Sequence, residues 1–345
     1  MEVKPQIIKM RPRLVEKVWG GSRLHHHCGK EGRATPIGEA WEVADLEEGQ
    51  STVASGPYEG VTLGELVSKW GVALVGETGG RFPLLVKLLD ARRDLSVQVH
   101  PSHEDVDGVV LGARSKWETW LIVRAAPGAT VIHGLKRPVH REVFKKAAIE
   151  GRLEDHLRRV EVQAGDTITV APGTIHAIGA DVVLLEIQEP SDTTYRVYDY
   201  QRPGLDGELR QLHLEEALKV GRLGPSETIF EAPYSLGRWR QRVAMTPAYS
   251  IERFRGRGRS TMGWHNGGDR PQVVHVLEGT MGLADGRGGE LRLEAFETAV
   301  IPAGMDRVEA RIVEGPAEVV GAVAGKAEVF AELDVLGSKT TTAVG

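Results

Sequence analysis

Four polar residues in the first half of the chain have the types and spacing of metal ligands. Gln98 and His100 stand two residues apart in an alternating run, so their side chains share one face of a predicted strand. Glu118 begins a later apolar run, and His176 follows a Pro–Gly turn. Two imidazoles and a carboxylate are a common ligand set for a catalytic divalent zinc ion. Such a site predicts Lewis-acid chemistry, with the Gln98 amide as a neutral fourth ligand.

The spacing alone also allows a plainer interpretation. A single Gln-x-His pair is a weak signal, and a histidine at a strand end is more often a hydrogen-bonded polar residue than a ligand. The strand alternation makes only Gln98 and His100 neighbours. Whether Glu118 and His176 join them depends on the fold.

Short β-strands must carry these residues. Leu95, Val97 and Val99 are expected on one face of their strand, and Ser96, Gln98 and His100 on the other. Three polar side chains on one face indicate either water or a polar cavity beside the strand. Further strands, separated by Pro- and Gly-containing turns, are predicted at 84–89, 117–124, 130–133, 166–170, 182–188, 273–279, 290–293 and 299–301.

Three helical segments interrupt the strands, at about 62–75, 140–160 and 212–222. In the first of them Thr62 is the expected N-cap, with Glu65 three residues later. All three fall between groups of strands, so we expect them to cap one side of a β core.

An internal similarity suggests two β units in tandem. Residues 170–176 and 300–307 both read as a strand end followed by a Pro/Gly turn and a residue directed back toward the sheet. The first copy has His176 at this point, whereas the second offers Met305, Asp306 or Arg307. The metal-type ligand is therefore expected only in the first unit.

Composition narrows the class of protein. The chain has 345 residues, 42 of them glycine, and a net charge of -5 without a dense basic stripe, so a nucleic-acid partner is not expected. No apolar run reaches membrane-span length, and the single cysteine, Cys28, excludes an intrachain disulfide. We expect a cytoplasmic protein, a monomer or weak homodimer, that acts on a small molecule.

The chain resembles the type I mannose-6-phosphate isomerases of the cupin superfamily, especially their short bacterial form. The matching motifs occur in the family's order over about residues 10 to 215, and the C-terminal third matches only loosely. They are Lys-Val-Trp-Gly-Gly at 17–21, Ile-Gly-Glu-Ala-Trp-Glu-Val at 37–43, Leu-Ser-Val-Gln-Val-His-Pro at 95–101, Lys-Trp-Glu-Thr-Trp at 116–120, Gly-Thr-Ile-His-Ala-Ile-Gly at 173–179, Glu-Ile-Gln at 186–188 and Ser-Asp-Thr-Thr-Tyr-Arg-Val-Tyr-Asp at 191–199.

The resemblance implies a mainly β fold of two tandem cupin (jelly-roll) units, with helical insertions in and around the first. We expect a catalytic unit at 1–238, a smaller degenerate unit at 239–337 and a flexible tail at 338–345. It also implies one Zn²⁺ per chain, held by the residues that match the family's ligands. These are Gln98, His100, Glu118 and His176.

The implied reaction interconverts mannose 6-phosphate and fructose 6-phosphate through a cis-enediol. Arg196 matches the family's active-site arginine, Glu186 a pocket carboxylate and candidate proton carrier, and Lys116 a pocket lysine. Ser96 and Lys87 match phosphate-side positions. Each of three residues could instead have only a structural role in an ion pair. Arg196 could form one at an exposed strand end, Glu186 could pair with an arginine, and Lys87 could pair with Asp90 or Asp94.

Two departures from the family pattern bear on the substrate. Glu189-Pro190 replaces a polar pair that often includes Asn, and a turn proline has shifted to give Ala171-Pro172-Gly173. Neither removes a ligand. Two other functions stay open: an isomerase of a different aldose or phosphoaldose, and a metal-bound cupin that binds sugar without turnover.

Overall fold

A computed structural model of the chain describes residues 5–24, 36–78, 80–108, 114–226, 230–257, 261–265, 269–285, 289–305 and 307–325. In this part of the chain most residues in regular structure lie in antiparallel β-strands, which confirms the expected mainly β fold. No helix among the described residues is both long and apolar enough to span a bilayer. The expected tail at 338–345 lies outside these residues.

The strands run in chain order as follows. They are β1 Ile8–Arg11, β2 Arg13–Gly21, β3 Ile37–Val43, β4 Asp45–Leu46, β5 Gly49–Gln50, β6 Thr52–Val53, β7 Leu85–Ala91, β8 Val97–Val99, β9 Glu118–Ala125, β10 Thr130–Leu135, β11 Leu157–Glu161, β12 Thr167–Val170, β13 His176–Ile178, β14 Val182–Gln188, β15 Tyr195–Tyr198, β16 Tyr234–Ser235, β17 Arg240–Met245, β18 Tyr249–Arg257, β19 Thr261–His265, β20 Gln272–Ala284, β21 Glu290–Glu294, β22 Thr298–Ile301 and β23 Arg307–Ala324.

The α-helices of the described residues are short. They are α1 Leu63–Trp70, α2 Val72–Val75, α3 His103–Gly108, α4 Arg141–Ile149 and α5 Leu214–Val220, with 3-10 turns at Gly76–Thr78 and Leu153–Asp155.

Three large sheets stack in layers. The outer sheet has the order β11-β10-β13-β8-β15, and the middle sheet has the order β12-β9-β14-β7-β2-β3. The C-terminal sheet follows the path β16-β17-β18-β23-β20-β22-β1-β6, with β19 beside β23 and β21 beside β20. Helices α4 and α5 pack on the far side of the outer sheet through Phe144 and Leu218.

The middle sheet is covered on both faces, which explains its nearly continuous apolar strands. Every residue of β14 is buried. Leu184 packs with Trp120 toward the outer sheet, whereas Leu185 and Ile187 pack toward the C-terminal sheet. Glu186 shares the face of Leu184 because side chains alternate along a strand. The two cores therefore fix which face each polar residue of β14 occupies.

The predicted alternation at 95–100 holds for the strand itself. Val97 and Val99 pack under the helices, and Gln98 lies on the opposite face. Leu95 is the exception, because β8 begins only at Val97 and Leu95 packs in the inner core with Trp120. An irregular segment is not bound by the two-residue period.

The helix expected over 140–160 is shorter than predicted. It ends at Ile149, before Gly151, which adopts a left-handed φ of 73°. Leu157–Glu161 forms strand β11 instead and pairs with β10. The other two helical predictions are closer: α1 has the expected Thr62–Glu65 capping box, and α5 occupies 214–220.

The two predicted units share strands. β1 and β6 come from the start of the chain, yet β1 pairs with β22 of the C-terminal sheet. Met305, from the second Pro/Gly turn, is buried in the apolar core of that sheet, and Asp306 lies outside the described residues. The boundaries at 238 and 337 stay predictions.

A buried polar chain joins the middle sheet to the C-terminal sheet. Thr298 donates its hydroxyl to Glu42 Oε2 at 2.8 Å, and His275 Nδ1 lies 2.8 Å from the same hydroxyl oxygen. Burial, with a smaller contribution from Glu297, raises the pKa of Glu42 from 4.5 to about 8 although Thr298 opposes the shift.

Glu42→Gln is therefore expected to stabilise the protein at pH 8.5, by roughly 1–3 kcal/mol, and to change stability little at pH 5. The folded protein binds the Glu42 proton more tightly than the unfolded chain, so stability is lost as the pH rises from 4.5 toward 8. Urea unfolding at both pH values measures the difference. The exposed Glu59→Gln serves as control, and an equal gain at both pH values would contradict the assignment.

Candidate metal and substrate site

The four predicted ligands converge where the outer and middle sheets meet. Gln98 in β8 lies opposite His176 of β13, and Gln98 Nε2 is 3.3 Å from His176 Nε2. Glu118, the first residue of β9, brings Oε1 to 3.1 Å from His100 Nε2 and Oε2 to 3.4 Å from His176 Nε2. One candidate donor atom each from His100, Glu118 and His176 lies within 4.8 Å of the others.

Hydrogen bonds behind the imidazoles orient both rings. His100 Nδ1 lies 2.8 Å from the Thr193 carbonyl oxygen, and His176 Nδ1 lies 2.8 Å from the Thr174 carbonyl oxygen. A carbonyl accepts but cannot donate, so Nδ1 carries the proton in each neutral ring. The Nε2 lone pairs are left facing Glu118, which is the arrangement in which a second hydrogen bond prepares a histidine for metal binding.

The donor atoms fit a divalent cation. His100, Glu118 and His176 are buried, and within the described residues His100 Nε2 and both Glu118 oxygens have no hydrogen bond of ordinary geometry. Burial, followed by the nearby Lys116 ammonium, lowers the pKa of His100 to about 3, so its ring is neutral. Against the effect of burial, Lys116 and His100 hold the pKa of Glu118 well below its usual value. A carboxylate and the Nε2 atoms of two imidazoles are thus available together. For Gln98 to join them, its amide has to turn so that Oε1 faces the site.

A small cleft of about 230 Å³ opens beside these residues, between the outer and middle sheets. It contains all the predicted catalytic and substrate residues. Its lining consists of Lys17, Trp19, Glu39, Lys87, Leu89, Leu95, Ser96, Gln98, Lys116, Glu118, Ile178, Glu186, Asp192, Thr194, Arg196 and Arg210.

Lys87 and Glu186 form a buried pair on neighbouring strands. They are directly opposite in the β7–β14 register, with Lys87 Nζ 3.5 Å from Glu186 Oε2. Trp120 Nε1 donates to Glu186 Oε1 at 3.0 Å. The expected ion pairs of Lys87 with Asp90 or Asp94 do not form, because Asp90 bonds Arg23 and Asp94 lies 3.7 Å from Arg159. The expected pair of Glu186 with an arginine was also wrong, because the cation beside Glu186 is Lys87. The strand register, which local sequence does not reveal, selects this pair.

The pKa values of both members of the pair are raised, by different combinations of burial and neighbouring charge. Burial, and then the Glu118 carboxylate, raise the pKa of Glu186, while Lys87 and Lys116 oppose the shift. Burial alone would lower the pKa of Lys87, but Glu186 and Glu39 raise it above its usual value. Lys87 therefore stays charged, and Glu186 binds a proton more readily than an ordinary glutamate does.

Arg196 and Lys116 approach the site from different sides. Arg196 lies opposite Gln98 in the β15–β8 register, donates through Nε to Ser96 Oγ at 3.3 Å, and through Nη1 to the Gln211 carbonyl at 2.9 Å. Arg196 is therefore not an exposed ion pair. Lys116 Nζ lies 2.8 Å from Glu118 Oε1 and is almost fully buried.

Four charged lining residues were not among the predicted site residues: Lys17, Glu39, Asp192 and Arg210. Lys17 and Glu39 stand inside matching motifs, and the alternation of Glu39 with apolar Ala40 was a usable signal. Arg210 lies in an irregular segment between β15 and α5, where no periodicity indicates a direction.

The comparisons with known proteins agree with this geometry. Residues 7–118 match the family model described as phosphomannose isomerase type I, catalytic domain. The mannose-6-phosphate isomerase ManA of Bacillus subtilis (strain 168) is 40% identical over 220 residues, which are 64% of this chain and 69% of that protein.

Solved structures match over nearly the whole chain. The mannose 6-phosphate isomerase from Bacillus subtilis superimposes with a TM-score of 0.81 at 29% identity, covering 92% of this chain and 99% of that one. A holo, zinc-bound mannose 6-phosphate isomerase has a TM-score of 0.70 at 17% identity, over 93% of this chain and 100% of that one, a likeness of fold alone. The chain belongs to the type I mannose-6-phosphate isomerase family.

Proposed function

We propose that the chain is a zinc-dependent aldose–ketose isomerase that interconverts mannose 6-phosphate and fructose 6-phosphate. The observation that carries the proposal is the buried group of His100, Glu118 and His176, whose donor atoms face one another at the end of a charged cleft. Nitrogen and carboxylate ligands in this combination are typical of catalytic zinc sites. The activity itself follows from the family to which the chain belongs.

Zn²⁺ held by Gln98, His100, Glu118 and His176 would supply a Lewis acid that stabilises negative charge on the C1 and C2 oxygens of the open sugar. Glu186 is the proposed proton carrier between C2 and C1. Its raised proton affinity suits a base that must take up and return one proton. Trp120 and Lys87 hold the two carboxylate oxygens of Glu186 in place.

Arg196 and Lys116 are the proposed cations beside the reacting carbons. Arg196 presents planar donors that can orient the open sugar and stabilise the cis-enediol oxygens. Lys116 contacts Glu118 and lines the same cleft, so it can bind a sugar oxygen without leaving its carboxylate partner. A protein that only binds sugar has no need of the buried Lys87–Glu186 pair, which favours turnover over simple binding.

His176→Ala is expected to reduce bound zinc from about one ion per chain to less than about a tenth, because the four-ligand protein site loses one of its two imidazoles. Metal analysis of the purified variant measures it. His133→Gln is the matched control: His133 lies opposite His176, but its ring nitrogens contact Ser226 and the Thr169 carbonyl. Full zinc retention by His176→Ala would refute the ligand assignment.

Removal of the metal is expected to abolish isomerisation. A coupled assay with mannose 6-phosphate should lose nearly all activity in chelator and regain it on addition of Zn²⁺, since charge on the sugar oxygens is then stabilised again. A zinc-loaded, folded protein that leaves mannose 6-phosphate unchanged would eliminate this substrate and favour another aldose.

Glu186→Gln is expected to lower kcat by about 10²–10⁴-fold with little change in KM, because the amide cannot carry the proton but keeps the bond from Trp120. Exchange of the C2 proton with deuterated solvent should slow in parallel. Glu39→Gln, in the same cleft and hydrogen-bonded to Trp41, is the control. An equal loss in both variants would show a general effect of charge, and Glu186 would not be the proton carrier.

A further inference from the structure

Lys116 lies in an irregular segment, so no strand fixes its position. Residues 114–117 precede β9, which begins at Glu118. Lys116 is nevertheless 3% exposed, and its Nζ lies 2.8 Å from Glu118 Oε1. Backbone outside a strand needs other hydrogen-bond partners to stay in one place. The contacts that hold this segment therefore decide where the Lys116 ammonium stands.

Glu189, the residue after β14, bonds this segment on both sides of Lys116. Its Oε2 accepts from the Ser115 hydroxyl at 3.1 Å and from the Trp117 backbone N–H at 2.9 Å. In return, the Glu189 backbone N–H donates to the Trp117 carbonyl oxygen at 3.2 Å. One carboxyl oxygen thus accepts from the residue before Lys116 and from the residue after it.

Glu189 is itself held in place. Gln188 stands opposite Glu118 in the β14–β9 register. The Gln188 side-chain amide donates to the Glu189 carbonyl oxygen at 3.0 Å and to the Ser191 carbonyl oxygen at 2.8 Å. The Ser191 N–H also donates to the Glu189 carbonyl oxygen, at 2.7 Å. Pro190 between them has a restricted φ, which further limits movement of this turn. An acceptor held in this way can fix the position of its donors.

The other carboxyl oxygen of Glu189 has a separate partner. Oε1 lies 3.0 Å from Nε2 of His103, at the start of α3, and the His103 side chain is 73% exposed. A contact to so exposed a side chain contributes little to stability. The contact that concerns Lys116 is therefore the one made by Oε2, and the two contacts can be removed independently.

The metal ligand Glu118 does not depend on the Glu189 side chain. Glu118 belongs to β9 and pairs with Val170 of β12 and with Gln188 of β14. Loss of the Oε2 acceptor would free the peptide group between Lys116 and Trp117 and leave Glu118 in its strand. The position of the lysine and the retention of the metal can thus be measured separately.

On the basis of the proposed function, in which Lys116 binds a sugar oxygen, we infer that Glu189 is a positioning residue for Lys116. Its Oε2 fixes the chain on both sides of Lys116 and so fixes the ammonium beside the candidate metal site. Glu189 is not part of the cleft lining, so it acts through Lys116 and not on the sugar. The Glu189-Pro190 pair, where the chain departs from the family pattern, then serves to hold the 114–117 segment.

The test compares Glu189→Met with Glu189→Gln in the zinc-loaded protein. The two side chains have similar lengths, but only the glutamine oxygen can accept from Trp117. Glu189→Met should lower kcat for mannose 6-phosphate about 10–100-fold and keep about one zinc per chain, because a displacement of about 1 Å can cost about 100-fold in rate. Glu189→Gln should recover kcat to within about threefold of the wild type. His103→Ala, which removes only the Oε1 contact, is the control and should change kcat less than about threefold.

A double-mutant cycle separates positioning of Lys116 from a general structural role. Because Glu189 acts through Lys116, Glu189→Met should lower kcat less than about threefold further in a Lys116→Met background. An equal loss in both backgrounds, a loss of zinc from Glu189→Met, or no recovery in Glu189→Gln would overturn the inference.

Hydrogen–deuterium exchange distinguishes failure of this inference from failure of the proposed function. The Trp117 amide should exchange at least about tenfold faster in Glu189→Met, because its acceptor is lost, and near the wild-type rate in Glu189→Gln and His103→Ala. That pattern supports the positioning of the segment even in a protein inactive on mannose 6-phosphate, where only the proposed function would fall. Unchanged exchange in Glu189→Met would show that Glu189 does not hold the segment, whatever the activity.

Discussion

Burial of the Glu118 carboxylate is the constraint around which the site is organised. A charged group removed from water is costly unless cations or strong donors surround it. Glu118 stands at the first position of β9, between the Lys116 ammonium and the Nε2 atoms of two imidazoles, and none of these groups is exposed by more than a few per cent. A divalent cation in the same place would balance the carboxylate directly, which is why the four predicted ligands form a site only when both sheets are assembled.

The C-terminal sheet supports this arrangement from behind. Tyr249, fully buried in β18, has its hydroxyl 3.1 Å from Thr119 Oγ1, one residue after Glu118. Arg253 donates to the Gly165 carbonyl at 3.3 Å, at the turn before β12. Together with the Thr298–Glu42 bond, these contacts tie three strands of the middle sheet to the C-terminal part of the chain. The segment with the weakest family resemblance therefore has a structural role in the site.

The cleft separates two kinds of charge arrangement. Its middle-sheet side contains buried lysine–carboxylate pairs, and one of them, Lys87–Glu186, influences the proton affinity of the proposed base Glu186. Its other side contains Arg196 and Arg210, and Arg210 is held by Asp199, which also bonds Arg202 outside the cleft lining. The two sides of the cleft therefore differ in their balance of charge.

Much of the site could be predicted from the sequence because its information is local. Alternation places Gln98 on the polar face of its strand, the Thr62–Glu65 pair marks a helix start, and short motifs identify His100, Glu118, His176 and Arg196. Other features depend on which strands become neighbours. The Lys87–Glu186 pair comes from the β7–β14 register, strand β11 forms by pairing with β10, and Arg210 reaches the cleft from an irregular segment. By itself the sequence determined the residue types and the face that each presents on its own strand, since these follow from backbone periodicity. Only the tertiary structure decided which charges meet, because strand register and loop path result from packing among residues far apart in the chain.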